Sequence, residues 1–250
     1  MSLLETIAVL LAGLVAGTIN AVAGSGTLVT FPALLAVGLP PVTANVSNGL
    51  GLVPGSFAAV HQYRHELRGR WREALGLARF SAVGAVLGAI LLLVLPAEWF
   101  RYVAPVLIAA ALVLIVAQPR LSAWVAARRA AGLAGNRHGL PLGIGLTGIY
   151  GGYFGAGQGI VLFAMLGTAL PDDLQRVNAL RNLYAGTANA VSALVFVLIA
   201  DVDFRAAGLI ALGAVAGGVL GARIGQRLSP GALRAVVVVV GLAAIAQLAL

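Results

Sequence analysis

Apolar runs of about twenty residues recur along the whole chain, separated by short stretches that carry most of its charge. As a helix rising ~1.5 Å per residue, such a run covers ~30 Å, the thickness of a bilayer's hydrocarbon core. Inside that core every backbone polar group must be satisfied within the protein, which restricts spanning segments to helices and closed barrels. Long unalternating apolar runs select helices, so an all-α polytopic membrane protein is expected. The runs 3–22, 42–62, 74–95, 101–118, 139–156, 175–200, 205–226 and 231–250 predict about eight transmembrane helices. Two shorter runs, 27–38 and 159–170, reach only ~18 Å and are expected as half-helices or hairpin arms. The run 3–22 is expected to be retained, being too long for a cleaved signal and no more apolar than those that follow.

Composition agrees with this class: 60% of residues are hydrophobic and 10% charged, against roughly one quarter charged in a soluble domain. All sixteen basic residues are arginines, and eleven of them cluster beside the spans: Arg64, Arg68, Arg70 and Arg72; Arg120, Arg128, Arg129 and Arg137; Arg223, Arg227 and Arg234. Cytoplasmic loops carry such excesses. With 63–73 and 119–138 inside, Glu98, Asp201 and Asp203 fall outside, accompanied only by Arg101 and Arg205. Both termini are then expected outside. No basic soluble domain remains to bind nucleic acid, and membrane lipids are the expected surroundings.

The chain reads as two similar halves, 1–118 and 139–250, joined by a basic cytoplasmic connector, 119–138. "AGTINAVAGSGTLVTFPALL" and "TGIYGGYFGAGQGIVLFAML" align at an offset of 131, placing Gly17 on Gly148, Gly24 on Gly155, Gly26 on Gly157 and Pro40 on Pro171. After the proline a shift of two brings Asn45 onto Asn178. An odd number of crossings per half makes the second half inverted, and inverted repeats with broken helices are the architecture of secondary transporters. Small residues also allow close helix packing, which accounts for the glycines alone but not for the repeated break. In the connector, Trp124, Val125 and Leu133 beside Arg128 and Arg129 suit an interfacial helix.

The paired stretches "GTINAVAGSGTLVTFPALLAVGLPPVTANVSN" and "GIYGGYFGAGQGIVLFAMLGTALPDDLQRVNALRN" resemble those of the sulfite exporter TauE/SafE family of membrane permeases, over nearly the whole chain. The resemblance implies permeation of sulfite, sulfoacetate or another small sulfur-containing or organic anion across the cytoplasmic (inner) cell membrane. The sequence departs from the commoner glycine triplet of that family, having Gly24-Ser25-Gly26 and Gly155-Ala156-Gly157-Gln158.

The residues themselves suit an anion. A helix N-terminus offers unpaired N–H groups and partial positive charge, so "GSGT" opening a half-helix can cradle an anionic oxygen. Glycines let the backbone approach a ligand. Ser25 and Thr27 add hydroxyls, with Gln158 opposite Thr27 in the repeat, although either hydroxyl can instead cap its own helix. Asn45 and Asn48, with Ser47 between them, and Asn178, Arg181 and Asn182 follow the short runs, each set along one helical face. Such a polar stripe lines a wet pathway or bonds to a neighbouring helix, and Asn20 and Asn189 are weaker members of the same set. Arg181 lies two turns into its helix, ~10 Å from the aqueous edge, where it attracts an anion or snorkels to headgroups. The candidate substrate site is therefore Gly24, Ser25, Gly26, Thr27, Asn45, Asn48, Gly155, Gly157, Gln158, Asn178, Arg181 and Asn182.

Other chemistry finds no residues. The absence of cysteine excludes disulfides, thiolate metal sites and cysteine nucleophiles. His61, His65 and His138 form neither a triad nor a metal spacing, so no catalytic residue, metal or cofactor is expected and the chain is not read as an enzyme. All eight acids, Glu5, Glu66, Glu73, Glu98, Asp172, Asp173, Asp201 and Asp203, lie near helix ends, leaving no midplane carboxylate to carry protons. Small-anion transport by alternating access is the expected function. An anion channel and a membrane scaffold using the basic connector are the alternatives, and a homo-oligomer is compatible with all three.

Overall fold

The computed structural model describes residues 1–22, 24–132, 137–170, 172–224 and 230–249, and it is helical throughout. Ten α-helices follow in order: α1 (Leu3–Val22), α2 (Thr27–Ala36), α3 (Pro41–Gln62), α4 (Trp71–Val94), α5 (Ala97–Ala130), α6 (Leu140–Tyr153), α7 (Gln158–Ala169), α8 (Leu174–Ile199), α9 (Phe204–Ile224) and α10 (Pro230–Ala249). Five of them are long and apolar enough to cross a membrane: α1, α4, α5, α8 and α9. The 22-residue α3 has the length of a span, but Asn45, Ser47, Asn48 and Ser56 make it more polar.

Two of the expected spans take a different form. The helix expected over 101–118 is the 34-residue α5, which runs through Pro105 and Pro119 into the segment expected as a connector. At ~1.5 Å per residue it is ~50 Å long and extends well beyond a hydrocarbon core. Within this extension Val125 is buried against Gly167 of α7, while Trp124 is half exposed beneath the Arg128 guanidinium. The helix expected over 139–156 is only the 14-residue α6, which unwinds at Phe154 and is too short to cross alone. Leu133, Pro171 and Arg227, named above, lie outside the described residues, as does the side chain of Arg223.

Helices distant in sequence pair with one another. The most extensive interfaces are α1 with α9 and α4 with α6. Glycines set these seams. A Cβ at Gly13 would lie 2.9 Å from the Ile210 Cα, and one at Gly17 would lie 2.7 Å from the Ala214 Cα. In the other seam a Cβ at Gly148 would lie 3.0 Å from the Ser81 Cα, and one at Gly152 would lie 2.8 Å from the Ala85 Cα. Backbones at this distance gain dispersion contacts that a lipid-solvated helix obtains in no other way. In both seams the two helices run in the same direction.

Side-chain bonds fix which connections share an end. Arg70, after α3, reaches Asp172, before α8, and Arg176 donates from Nε to the Glu66 carbonyl at 2.8 Å. At the opposite end Gln247 donates to the Leu35 carbonyl at 2.9 Å, and the Asp203 amide donates to the Ser47 hydroxyl at 2.9 Å.

Candidate functional site

The breaks after α1 and α6 both turn on glycine. Gly24 closes α1 with φ +75°, and Gly155 closes α6 with φ +78°, a left-handed conformation that L side chains rarely adopt. The Gly24 amide donates to the Ile19 and Asn20 carbonyls at 3.2 and 3.0 Å, and the Gly155 amide to the Tyr150 carbonyl at 3.0 Å. Helix ends in the membrane have no water to satisfy their last carbonyls, and these bonds supply partners within the protein. Gly26, in right-handed conformation, is glycine for a different reason: a Cβ there would lie 2.7 Å from the Ala16 carbonyl oxygen.

The two breaks meet inside the molecule. The Gly159 amide at the start of α7 donates to the Gly24 carbonyl at 3.2 Å, and a Cβ at Gly24 would lie 2.6 Å from the Gly159 Cα. Gly159 belongs to this centre although sequence reasoning passed over it; its place beside Gly157-Gln158 was the only available signal.

α3 and α8 each supply a polar side chain to the end of a helix distant in sequence. Asn45 on α3 donates to the Tyr153 carbonyl at the end of α6, at 2.9 Å. Arg181 on α8 donates through Nη2 to the Ala21 carbonyl near the end of α1, at 3.0 Å. Arg181 is 2% exposed, so it is buried within the helices and does not snorkel. A guanidinium at a helix C-terminus meets the negative end of the dipole, which offsets part of its burial.

The remaining candidates sort by what they touch. Asn48 bonds across helices to α2, donating to the Thr27 hydroxyl at 3.4 Å and accepting from Thr30. Gln158 turns its amide back onto α6, donating to the Thr147 carbonyl at 2.9 Å and lying against Gly151. Asn182 accepts from Arg181 at 3.5 Å, and its Nδ2 has no partner among the described residues. Asn178 lies half-buried on α8, one turn before Arg181. Asn20 is bonded to Ser56 at 3.4 Å.

Ser25 is distinct. It is fully buried, and its hydroxyl has no partner among the described residues. It does not cap α2, whose N-cap position is Gly26 with no side-chain bond. An unsatisfied hydroxyl inside a membrane protein is costly unless something else bonds it. No His, Asp or Glu cluster suited to a metal occurs among the described residues.

Apolar helices of spanning length, enclosing a polar centre where two broken hairpins meet, define a multi-pass membrane protein. The chain belongs to the sulfite exporter TauE/SafE family, whose profile matches residues 9–248. It is 31% identical over 219 residues to the probable membrane transporter protein YfcA of Escherichia coli (strain K12), covering 86% of this chain and 77% of that one. A probable membrane transporter protein of Haemophilus influenzae is 27% identical over 227 residues, covering 91% and 88% of the two chains. ORF9, a probable membrane transporter protein of a Sinorhizobium species, is 33% identical over 156 residues, 62% of this chain and 58% of its own. No solved structure matches the chain. Family membership makes the protein a membrane transporter.

Proposed function

We propose that the protein carries a small oxyanion, sulfite or a related sulfonate or organic anion, across the inner cell membrane by alternating access at the meeting glycine turns. The observation that carries this reading is the buried, unbonded Ser25 hydroxyl at the opening of α2, in the same break as the Arg181 guanidinium. A hydroxyl donor, a helix N-terminus and a fixed positive charge are the groups an anionic oxygen requires. Thr27, Gln158 and the backbone of Gly24, Gly26, Gly155 and Gly157 complete the cradle. Asn45, Asn48, Asn178 and Asn182 line the route.

In this reading 1–118 and 139–250 are inverted repeats, the termini face outside, and α2 and α7 are the returning arms of hairpins. The seams support the repeat at single-residue level. Gly84 lies against Gly145 and Ile149, and Gly217 lies against Leu14 and Thr18. Positions 84 and 217 differ by 133, while 145 and 14, and 149 and 18, differ by 131, the same two offsets that align the halves in sequence. Partner exchange also follows the repeat: α1 on α9 corresponds to α6 on α4, and α2 on α10 to α7 on α5.

The test is thermal stabilisation of purified protein by sulfite, sulfate, thiosulfate, sulfoacetate and chloride. One oxyanion is expected to raise the melting temperature selectively, since a ligand of the folded state stabilises it. Ser25→Ala should weaken that ligand by about tenfold to a hundredfold, the worth of a hydrogen bond to a charged group. It should leave the unliganded melting temperature unchanged, because no intramolecular bond is lost. Equal stabilisation of the wild type and Ser25→Ala by the same oxyanion would remove Ser25 from the site.

A further inference from the structure

Away from the glycine turns, where α3 leads into α4 and α7 into α8, a single carboxylate is held by two arginines. Arg70 donates from Nη1 to both Asp172 oxygens, at 3.0 and 3.3 Å, and Arg176 donates from Nη1 to Oδ1 at 2.9 Å. Asp172 is nine-tenths buried. These groups line a cleft together with Leu67, Glu73, Leu180 and Tyr184. The cavity measures about 20 Å³, room for about one water molecule. Tyr184 is fully buried, and its hydroxyl has no partner among the described residues.

We propose that this cleft is a second anion-binding station, at the cytoplasmic mouth of the pathway, and that the Asp172 carboxylate occupies it in place of the transported oxyanion. The inference rests on the oxyanion reading above. Two guanidiniums converging on one carboxylate, with a spare phenolic donor alongside, form a receptor for a small oxyanion. The cavity is too small to admit sulfite or sulfate beside Asp172, so an anion binds only by displacing it. Displacement also releases a tie between halves, since Arg70 belongs to the first and Asp172 to the second. Asp172 thus acts as a tethered competitor that closes the mouth when no substrate is there. With Asp172 neutralised, the cleft retains two guanidiniums against the Glu73 carboxylate among the described lining residues.

The experiment compares wild type, Asp172→Asn, Asp172→Asn with Arg70→Gln, and Asp172→Asn with Ser25→Ala, as purified full-length proteins melted in chloride buffer with added sulfate or sulfite. Asp172→Asn is expected to melt lower than wild type without oxyanion and to recover with it, its apparent affinity rising about tenfold or more once the internal competitor is gone. The part of this shift that exceeds the wild-type shift should persist with Ser25→Ala and vanish with Arg70→Gln. An oxyanion-dependent shift in Asp172→Asn no larger than that of wild type overturns the mouth station, and so does an excess shift that survives Arg70→Gln or is lost with Ser25→Ala. A wild type that binds an oxyanion through Ser25 would then leave the central reading standing alone.

Discussion

Arg181→Gln is expected to abolish oxyanion binding at the glycine turns and to destabilise the folded protein by about 2–4 kcal/mol, even though the residue lies within an intact helix. The side chain is among the largest fully buried ones, and its Nη2 satisfies the Ala21 carbonyl at 3.0 Å. Glutamine is shorter and uncharged, so that carbonyl at the end of α1 loses its donor and the break loses its nearby positive charge. Arg181→Lys separates the two effects. A lysine keeps the charge but lacks the planar fork, so it should retain part of the anion affinity while the helix end is still loosened. Melting temperature reads the first effect and the oxyanion-induced shift reads the second. A snorkelling arginine would show neither.

The seam between α4 and α6 predicts the other large effect. Gly88→Leu should prevent accumulation of folded protein, whereas Gly76→Leu on the same helix should be tolerated. A Cβ at Gly88 would collide with the Ile149 carbonyl and lie 2.8 Å from the Tyr153 amide nitrogen, while at Gly76 it would meet nothing within 4 Å. The obstruction at Gly88 is backbone, which cannot move aside as a flexible side chain does, so the two helices must separate and forfeit the contacts between them. Overpacking of this kind costs about 1–3 kcal/mol in soluble cores and more where a whole seam is parted. Size-exclusion elution after extraction in mild detergent measures the outcome. Equal yields of monodisperse protein from both variants would show that the seam is not held by close packing.

Helix positions were largely legible because the hydrophobic run is itself the structural signal in a membrane. The run 3–22 coincides with α1, and the run 159–170 is shifted by one residue from α7. The short helices α2 and α7 could be read because their apolar runs are too short to cross a hydrocarbon core. The length of α5 was not legible. Pro119 and Arg120 look like a stop, but a proline within a helix bends or weakens it without necessarily ending it, and the alanine-rich stretch after Arg120 propagates the helix. The exchange of α1 onto α9 and α6 onto α4 was also hidden. Glycine stripes state that something approaches closely, not which helix it is.

Side-chain partners were the least legible part of the site. The amides of Asn45 and Asn48 were expected either to line a pathway or to bond to neighbouring helices, and both make interhelical bonds here. Gln158 was placed opposite Thr27 by the repeat, yet its amide is directed onto the Thr147 carbonyl, an arrangement set by rotamer and packing. Asp172 looked like an ordinary helix-end acid, because nothing local in sequence links it to Arg70, 102 residues away.

Sulfite flux into liposomes reconstituted with the pure protein tests most directly whether the glycine turns carry an anion by alternating access. The initial rate should saturate with sulfite concentration in the wild type and fall markedly in Ser25→Ala at sub-saturating sulfite. A rate that rises linearly without saturation, or one that Ser25→Ala leaves unchanged, would contradict a carrier with its site between the two turns.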